Sequence, residues 1–219
     1  RPSWPPRAPL SRSGAWAGIV AAMTLVSSPL ETVARNHGAI VAERHGRRVP
    51  ASFGSTAAEE AVCQKSVGMA DRSDRDTFEL RGDPVAIETA LTELGPLVWA
   101  SFIGADRALI RCEIESTAEV SEVLAHYGDV AVALRTSSYA AIGLVGPRAA
   151  ELLNEVDLSP SGLIIREARD AFEVLLPADH GPQLWDFLVE AGEPFDLACV
   201  GHDALDRLAA SRRAGQAST

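Results

Sequence analysis

Cysteine is scarce: the 219 residues hold only Cys63, Cys112 and Cys199, far apart along the chain. An odd count with no Cys-x-x-Cys pair excludes a disulfide framework, so each thiol is expected to be a small apolar side chain, half or wholly buried. Aromatic residues are few, at 5%. Trp99, Phe102 and Trp185 are therefore expected as core or interface anchors rather than stacking platforms. His37, His45, His126, His180 and His202 show no HxxxH, HxH or His/Cys spacing, so surface or capping roles are expected and no metal ligand is assigned. Ser137 and Ser138 lie in no nucleophile elbow, and Gly143, Gly146 and Gly162 form no phosphate loop, so no catalytic residue is assigned. Basic residues are outnumbered, 20 against 30, and the net charge of −10 argues against a nucleic-acid backbone as partner. No apolar run is long enough to span a membrane, and a cytoplasmic location is expected.

What is present suits a globular core: 47% apolar and 23% charged residues. Residues 1–23, rich in proline, serine and arginine before an apolar stretch, are expected to be a disordered extension, and 215–219 a disordered tail. Between them, turn residues separate short elements. Ser28 to Asn36 reads as a helix, and Ala39–Val41 with Val49–Phe53 as a hairpin around His45–Gly46–Arg47. Ser55 to Val67 reads as a helix, Thr77 to Leu80 as a strand, and Asp83–Pro84 opens a helix to Leu94. Strands at Leu97–Ile103 and Ala108–Ile114, a helix at Thr117–Tyr127 and strands at Val130–Leu134 and Tyr139–Val145 follow. Gly146–Pro147 then opens a helix to Asn154. Strands at 163–166 and 172–176, a helix at 180–191, a strand at 197–200 and a helix at 203–213 complete the order. Hairpins outnumber crossovers, which predicts an α+β fold of mostly antiparallel sheet covered by helices. The strand–Gly–Pro rhythm occurs at 78–84 and again at 141–147, suggesting two related halves, about 28–128 and 129–214, of one domain over 24–214.

Ser28-Pro29-Leu30, Gly38-Ala39, Val49-Pro50, Gly54, Glu59-Glu60, Gly68-Met69-Ala70-Asp71, Ser73 and Gly82 follow one another in a familiar order. So do Leu144-Val145-Gly146-Pro147-Arg148-Ala149, Phe172-Glu173-Val174-Leu175-Leu176-Pro177, Leu184-Trp185-Asp186-Phe187-Leu188 and Phe195-Asp196-Leu197. Over residues 28–208 this series resembles the folate-binding domain of the aminomethyltransferase family, the family of the glycine cleavage T-protein. The resemblance implies two related halves of mostly antiparallel sheet with covering helices, and tetrahydrofolate as a candidate cofactor of one-carbon transfer. It stops before the family's C-terminal barrel, as in the small gamma subunit of heterotetrameric sarcosine oxidase. The Lys-Gly-Cys-Tyr motif of the branch linked to iron–sulfur clusters does not occur.

The departures from the family bear on function. Its acidic residue near the reactive folate nitrogen has no equivalent; Pro96 and Leu97 stand where aspartates should precede the strand, and Glu93 is the nearest carboxylate. A family methionine falls at Arg75, a tyrosine at Ala108, a second tyrosine at Arg166, the pterin-binding glutamate at Arg169 and a later arginine at Ala209. Arg75, Ala108, Arg166 and Arg169 are thus the candidate cofactor-contacting positions. A pterin offers N–H donors, and an arginine has no acceptor to meet them. The three arginines could instead form a wall for an anionic small molecule such as a carboxylate, or be surface charges balanced by Asp71, Asp74, Asp76, Glu167 and Asp170. The resemblance therefore implies a catalytically degenerate folate-fold protein acting as a binding or assembly subunit beside a protein partner, which an exposed apolar patch on the first-half helices would favour. The alternative is an active tetrahydrofolate-dependent transferase with Glu93 or Asp170 as a replacement acid.

Overall fold

The computed structural model describes residues 26–156, 158 and 162–216. The expected extension over 1–23 and the last three residues of the expected tail lie outside them. The short strand β1 (Val26–Ser27) joins the hairpin β2 (Ile40–Arg44) and β3 (Arg47–Ser52) in a three-stranded sheet ordered β1-β3-β2. His45 and Gly46 both have positive φ, as a two-residue type I′ hairpin turn requires. Helix α1 (Glu31–Asn36) precedes the hairpin, and α2 (Thr56–Lys65) follows it. The Ser55 hydroxyl accepts from the Ala58 N–H at the start of α2, the capping bond its position predicts.

Four strands form an antiparallel sheet ordered β6-β7-β5-β8: β5 (Asp76–Gly82), β6 (Trp99–Gly104), β7 (Arg107–Cys112) and β8 (Val130–Leu134). Its outer face, with Phe78, Leu80, Ala108, Ile110 and Cys112, is covered by α3 (Pro84–Leu94) and α4 (Thr117–Ala125). Asp83 caps α3 by accepting from the Val85 and Ala86 N–H groups, and Pro84 sits where the helix needs no donor.

The larger sheet is ordered β10-β11-β9-β4-β12, from β4 (Val67–Asp71), β9 (Tyr139–Val145), β10 (Leu163–Ala168), β11 (Ala171–Pro177) and β12 (Leu197–Cys199). All its pairs are antiparallel except β4 with β12. Its outer face carries Val67, Met69, Ile142, Leu144, Val174 and Leu176 against α1, α5 (Ala149–Glu155) and α6 (Gly181–Ala191), with Trp185 wholly buried among them. Leu109, Ala141, Ile165 and Leu175 join the inner faces of the two sheets. Farther along, Ala70, Val145 and Ala171 pack under Cys63 of α2 and Leu208 of α7 (His202–Gln216).

The mixed α+β architecture agrees with the sequence, and several element ends shift: α1 starts at Glu31 rather than Ser28, and β7 ends at Cys112 rather than Ile114. The helix read to Val67 ends at Lys65, and Val67–Asp71 is instead a central strand. Every residue of β4 is buried, so it lacks the polar alternation that reveals a half-exposed strand. Helix α7 runs to Gln216, three residues past the Arg213 end that the sequence pattern predicts. Both aliphatic layers leave the thiols where the sequence put them: Cys63 and Cys112 are buried and Cys199 half-buried, all free, and burial pushes them up to about 11, 11 and 12.

Gly146 fixes the turn from β9 into α5. Its φ is +140°, and a Cβ there would lie 2.1 Å from the Ser66 carbonyl oxygen. Gly146→Ala is expected to destabilise the fold by about 3 kcal/mol or more, read from the urea midpoint at unchanged slope.

Candidate functional site

Between the inner face of the larger sheet, the end of the four-stranded sheet and α7 lies a layer of charge rather than apolar packing. The sequence places it there by alternation. On β7, Ala108, Ile110 and Cys112 face the helices, so Leu109 and Arg111 face inward; on β11, Val174 and Leu176 face outward, so Glu173 and Leu175 face inward.

Arg111 is 1% exposed and Glu173 is fully buried. They form a two-bond fork, Nε to Oε2 and Nη2 to Oε1, both 2.9 Å. The other donors of Arg111 reach the Thr77 hydroxyl (2.6 Å) and the carbonyls of Arg75 (3.1 Å) and Arg72 (2.5 Å). All five N–H groups of the guanidinium are thereby used. Burial would raise the Glu173 carboxyl, but Arg111 and then Arg75 outweigh it and hold it below the usual range.

Arg75, in the loop between β4 and β5, completes the layer. Its Nε and Nη2 donate to Glu113 Oε1 at 3.0 and 2.7 Å, its Nη1 donates to Glu167, and its guanidinium carbon lies 4.1 Å from the Trp99 ring centroid. Arg72 runs beside it, within 3.5 Å of Glu113 and 3.8 Å of Glu167. Its stem occupies the space that a Cβ on Gly143 would need, 2.8 Å from Arg72 Cγ. The loop is held from its other side by Arg47, which donates to the carbonyls of Ser73 and Arg75 (both 2.9 Å) and to Asp76.

At the near end of α7, His202 Nε2 bonds the Asp71 carbonyl at 2.9 Å, and Nδ1 is 3.6 Å from Asp74. That contact requires an N–H on Nε2, and burial, followed by Arg72 and Arg44, lowers the histidine, although Asp74 opposes. His202 is 4% exposed and bonds a strand carbonyl, contrary to the surface or capping role expected of the histidines, because β4 and α7 close over it. Asp74 is held at about 2: burial would raise it, but Arg72, His202, Arg75 and Arg111 prevail. Asp71 has no such guanidinium, and burial pushes its carboxyl up to about 6. A cavity of about 400 Å³ opens above this layer, with Val145 and Ala171 among its lining and Arg44, Glu113, His202 and Asp206 at its walls.

The structure does not bring the four sequence-chosen positions together. Arg75 is 3% exposed and paired, not a surface charge. Ala108 lies on the opposite face of the four-stranded sheet, against α3 and α4. Arg166 and Arg169 are exposed at the β10–β11 hairpin; Arg166 donates to the Ala168 carbonyl (3.1 Å) and lies over Phe172, on the outer face. The proposed replacement acids are also engaged elsewhere: Glu93 accepts from the Tyr127 hydroxyl (2.5 Å) on the outer helices, and Asp170 pairs with Arg212 (2.6 Å). Sequence reasoning missed Arg111 and Glu173. The available signal was a charged residue at an inward position of two apolar strands, Arg107–Cys112 and Ala171–Pro177.

Glu173→Gln should cost about 3–5 kcal/mol in urea unfolding, because it leaves buried Arg111 and Arg75 without their shared anion. Arg111→Met with Glu173→Met should cost less than the sum of the single changes. Asp71 predicts a separate pH effect. Its folded value, about 6, lies above the ordinary 3.8, so its contribution to stability falls as pH rises from 3.8 to 6. Relative to the wild type, Asp71→Asn should therefore gain stability from pH 4 to pH 7, by up to about 3 kcal/mol, in paired urea titrations.

No family model matches the sequence. Curated aminomethyltransferases of Mycobacterium bovis and Mycobacterium tuberculosis are 29% identical over 183 residues, covering 81% of this chain and 46% of theirs. The chain thus spans about half the length of the curated relatives it matches. The glycine cleavage aminomethyltransferase T of Bartonella henselae superposes with a TM-score of 0.68 at 19% identity, over 84% of this chain and 62% of that one. A chain of heterotetrameric sarcosine oxidase from Corynebacterium sp. U-96 gives 0.50 at 18% identity, over 67% of this chain and 95% of that one. In sequence likeness and in fold, this chain is aminomethyltransferase-like.

Proposed function

We propose that the chain is a catalytically silent folate-fold subunit that works in the cytoplasm beside a protein partner. The carrying observation is the Arg111–Glu173 fork. A pterin presents N–H donors and needs a free buried carboxylate. Glu173 is the fully buried carboxylate of the layer, and both its oxygens accept from Arg111. Arg75 fills the adjoining space and ties up Glu113 and Glu167. These residues do not fit tetrahydrofolate, and no transfer step is assigned to them.

Two observations bear on the assembly role. The sarcosine oxidase chain of similar fold comes from a heterotetramer and is matched over nearly its whole length. The apolar patch expected on the first-half helices is not there: among the described residues, Val85 is the one large exposed apolar side chain on those helices. A partner would therefore meet a surface with a substantial polar share, as non-obligate interfaces commonly have. Among the described residues no helix is long and apolar enough to cross a membrane. Any residual binding of a folate carboxylate is assigned to the exposed Arg166 and Arg169 at the hairpin.

Calorimetric titration of the chain with tetrahydrofolate and its 5,10-methylene form tests this reading. The expected result is no saturable heat up to about millimolar ligand, a binding free energy weaker than about 4 kcal/mol. Micromolar binding that is lost in Arg166→Ala or Arg169→Ala would overturn it and restore the transferase reading.

A further inference from the structure

The inner face of the four-stranded sheet is only partly covered. The larger sheet packs on its β6–β7 side through Trp99, Ile103 and Leu109. On the β5–β8 side three arginines converge on one carboxylate. Arg81 and Arg107 donate from Nε to Glu79 Oε1 at 2.6 and 2.5 Å, and Arg135 donates from Nε to Oε2 at 3.1 Å. Glu79 is 3% exposed, whereas the three arginine side chains are 57%, 36% and 47% exposed.

A simple surface ion pair does not account for this arrangement. Arg81 and Arg107 face each other directly across β5 and β7, a like-charge placement that costs stability unless an anion lies beside both. Glu79 supplies that anion, and its carboxyl is held below the usual range because the three arginine bonds outweigh its burial. Yet one carboxylate balances one guanidinium. The cluster keeps a surplus of two positive charges on a chain whose net charge is −10. All three bonds use Nε. Among the described residues no Nη group of the three donates to the protein, so the end that grips an oxyanion through two parallel bonds is left free. Ala131 and Ala133 pair with Arg81 and Glu79 on β8 and leave a shallow hollow of about 270 Å³ beside Arg81 and Arg135.

We propose that Arg81, Arg107 and Arg135, positioned by Glu79, form a binding site for a phosphate group. A phosphate monoester carries a charge of about −1.5 to −2 at neutral pH and three acceptor oxygens, which matches the surplus charge and the three free guanidinium ends. Glu79 holds the guanidiniums before the ligand arrives, so less side-chain freedom is lost on binding. The site is independent of the folate-silent reading, and neither result below changes the outcome expected of the folate titration.

The full chain, in low-salt buffer free of phosphate, is titrated with inorganic phosphate and, separately, with chloride at matched ionic strength. Saturable one-site binding of phosphate alone is expected. Arg107→Gln and Arg135→Gln should each weaken it about tenfold, and Arg135→Lys less than Arg135→Gln, since it keeps the charge but not the fork. Should Arg107→Gln fail to fold, as judged by its thermal melt in chloride, the two Arg135 variants decide alone. Equal responses to phosphate and chloride would overturn the proposal, as would wild-type affinity in Arg135→Gln. Tighter binding of a short oligothymidylate than of phosphate would also overturn it, assigning the cluster to a nucleic-acid backbone.

Discussion

The Arg111–Glu173 fork is the contact around which the inner layer is organised. Arg111 is on β7 of one sheet and Glu173 on β11 of the other, so the fork is a polar bond across the sandwich. The remaining Arg111 donors hold the carbonyls of Arg72 and Arg75, which places the β4–β5 loop at a fixed height between the sheets. Arg47 grips the same loop from the three-stranded sheet. One guanidinium thus ties three separately formed pieces of chain to a common position.

Such a layer is not a source of large net stability. Taking two charges out of water costs several kcal/mol each, and the attraction between them roughly offsets that cost when the geometry is good. What the fork provides is uniqueness of register. A one-residue slip of β7 or β11 would bring Ile110 or Val174 into the charged layer and send Arg111 or Glu173 into an aliphatic one. The apolar layers outside the sheets supply the driving force, and the charges select among the packings that force would allow.

Most elements were legible because their ends carry specific chemistry. Asp83–Pro84 announces α3, His45–Gly46 the first hairpin, and Gly146–Pro147 the entry to α5. Strand β4 was not, because Val67–Asp71 is buried on both faces and so shows no polar alternation, and only Ser66 separates it from the preceding helix. The candidate site was half legible. Arg75 was chosen by resemblance and does stand in the charged layer, but whether a loop arginine is solvated or buried depends on Glu113, just past the end of β7, and Glu167 of β10, both brought to it by tertiary pairing. Ala108 was chosen by the same route and faces the other way, which strand alternation already implied once Arg111 was recognised as inward. Local sequence carries alternation; it does not carry which of two inward charges will meet.

The strand order of the larger sheet has a consequence for how the chain leaves the ribosome. Strands β5 to β8 lie within residues 76–134, so the four-stranded sheet can assemble from contiguous chain. Strand β4 precedes them all, yet its two neighbours are β9, ending at Val145, and β12, ending at Cys199. Its backbone groups therefore stay without sheet partners while some seventy-five further residues are synthesised, and its second edge is closed only after Cys199 has emerged. The nascent protein passes through a stage with one sheet complete and one strand that is wholly buried in the final fold still unpaired, the kind of exposed edge that makes a folding intermediate prone to aggregate.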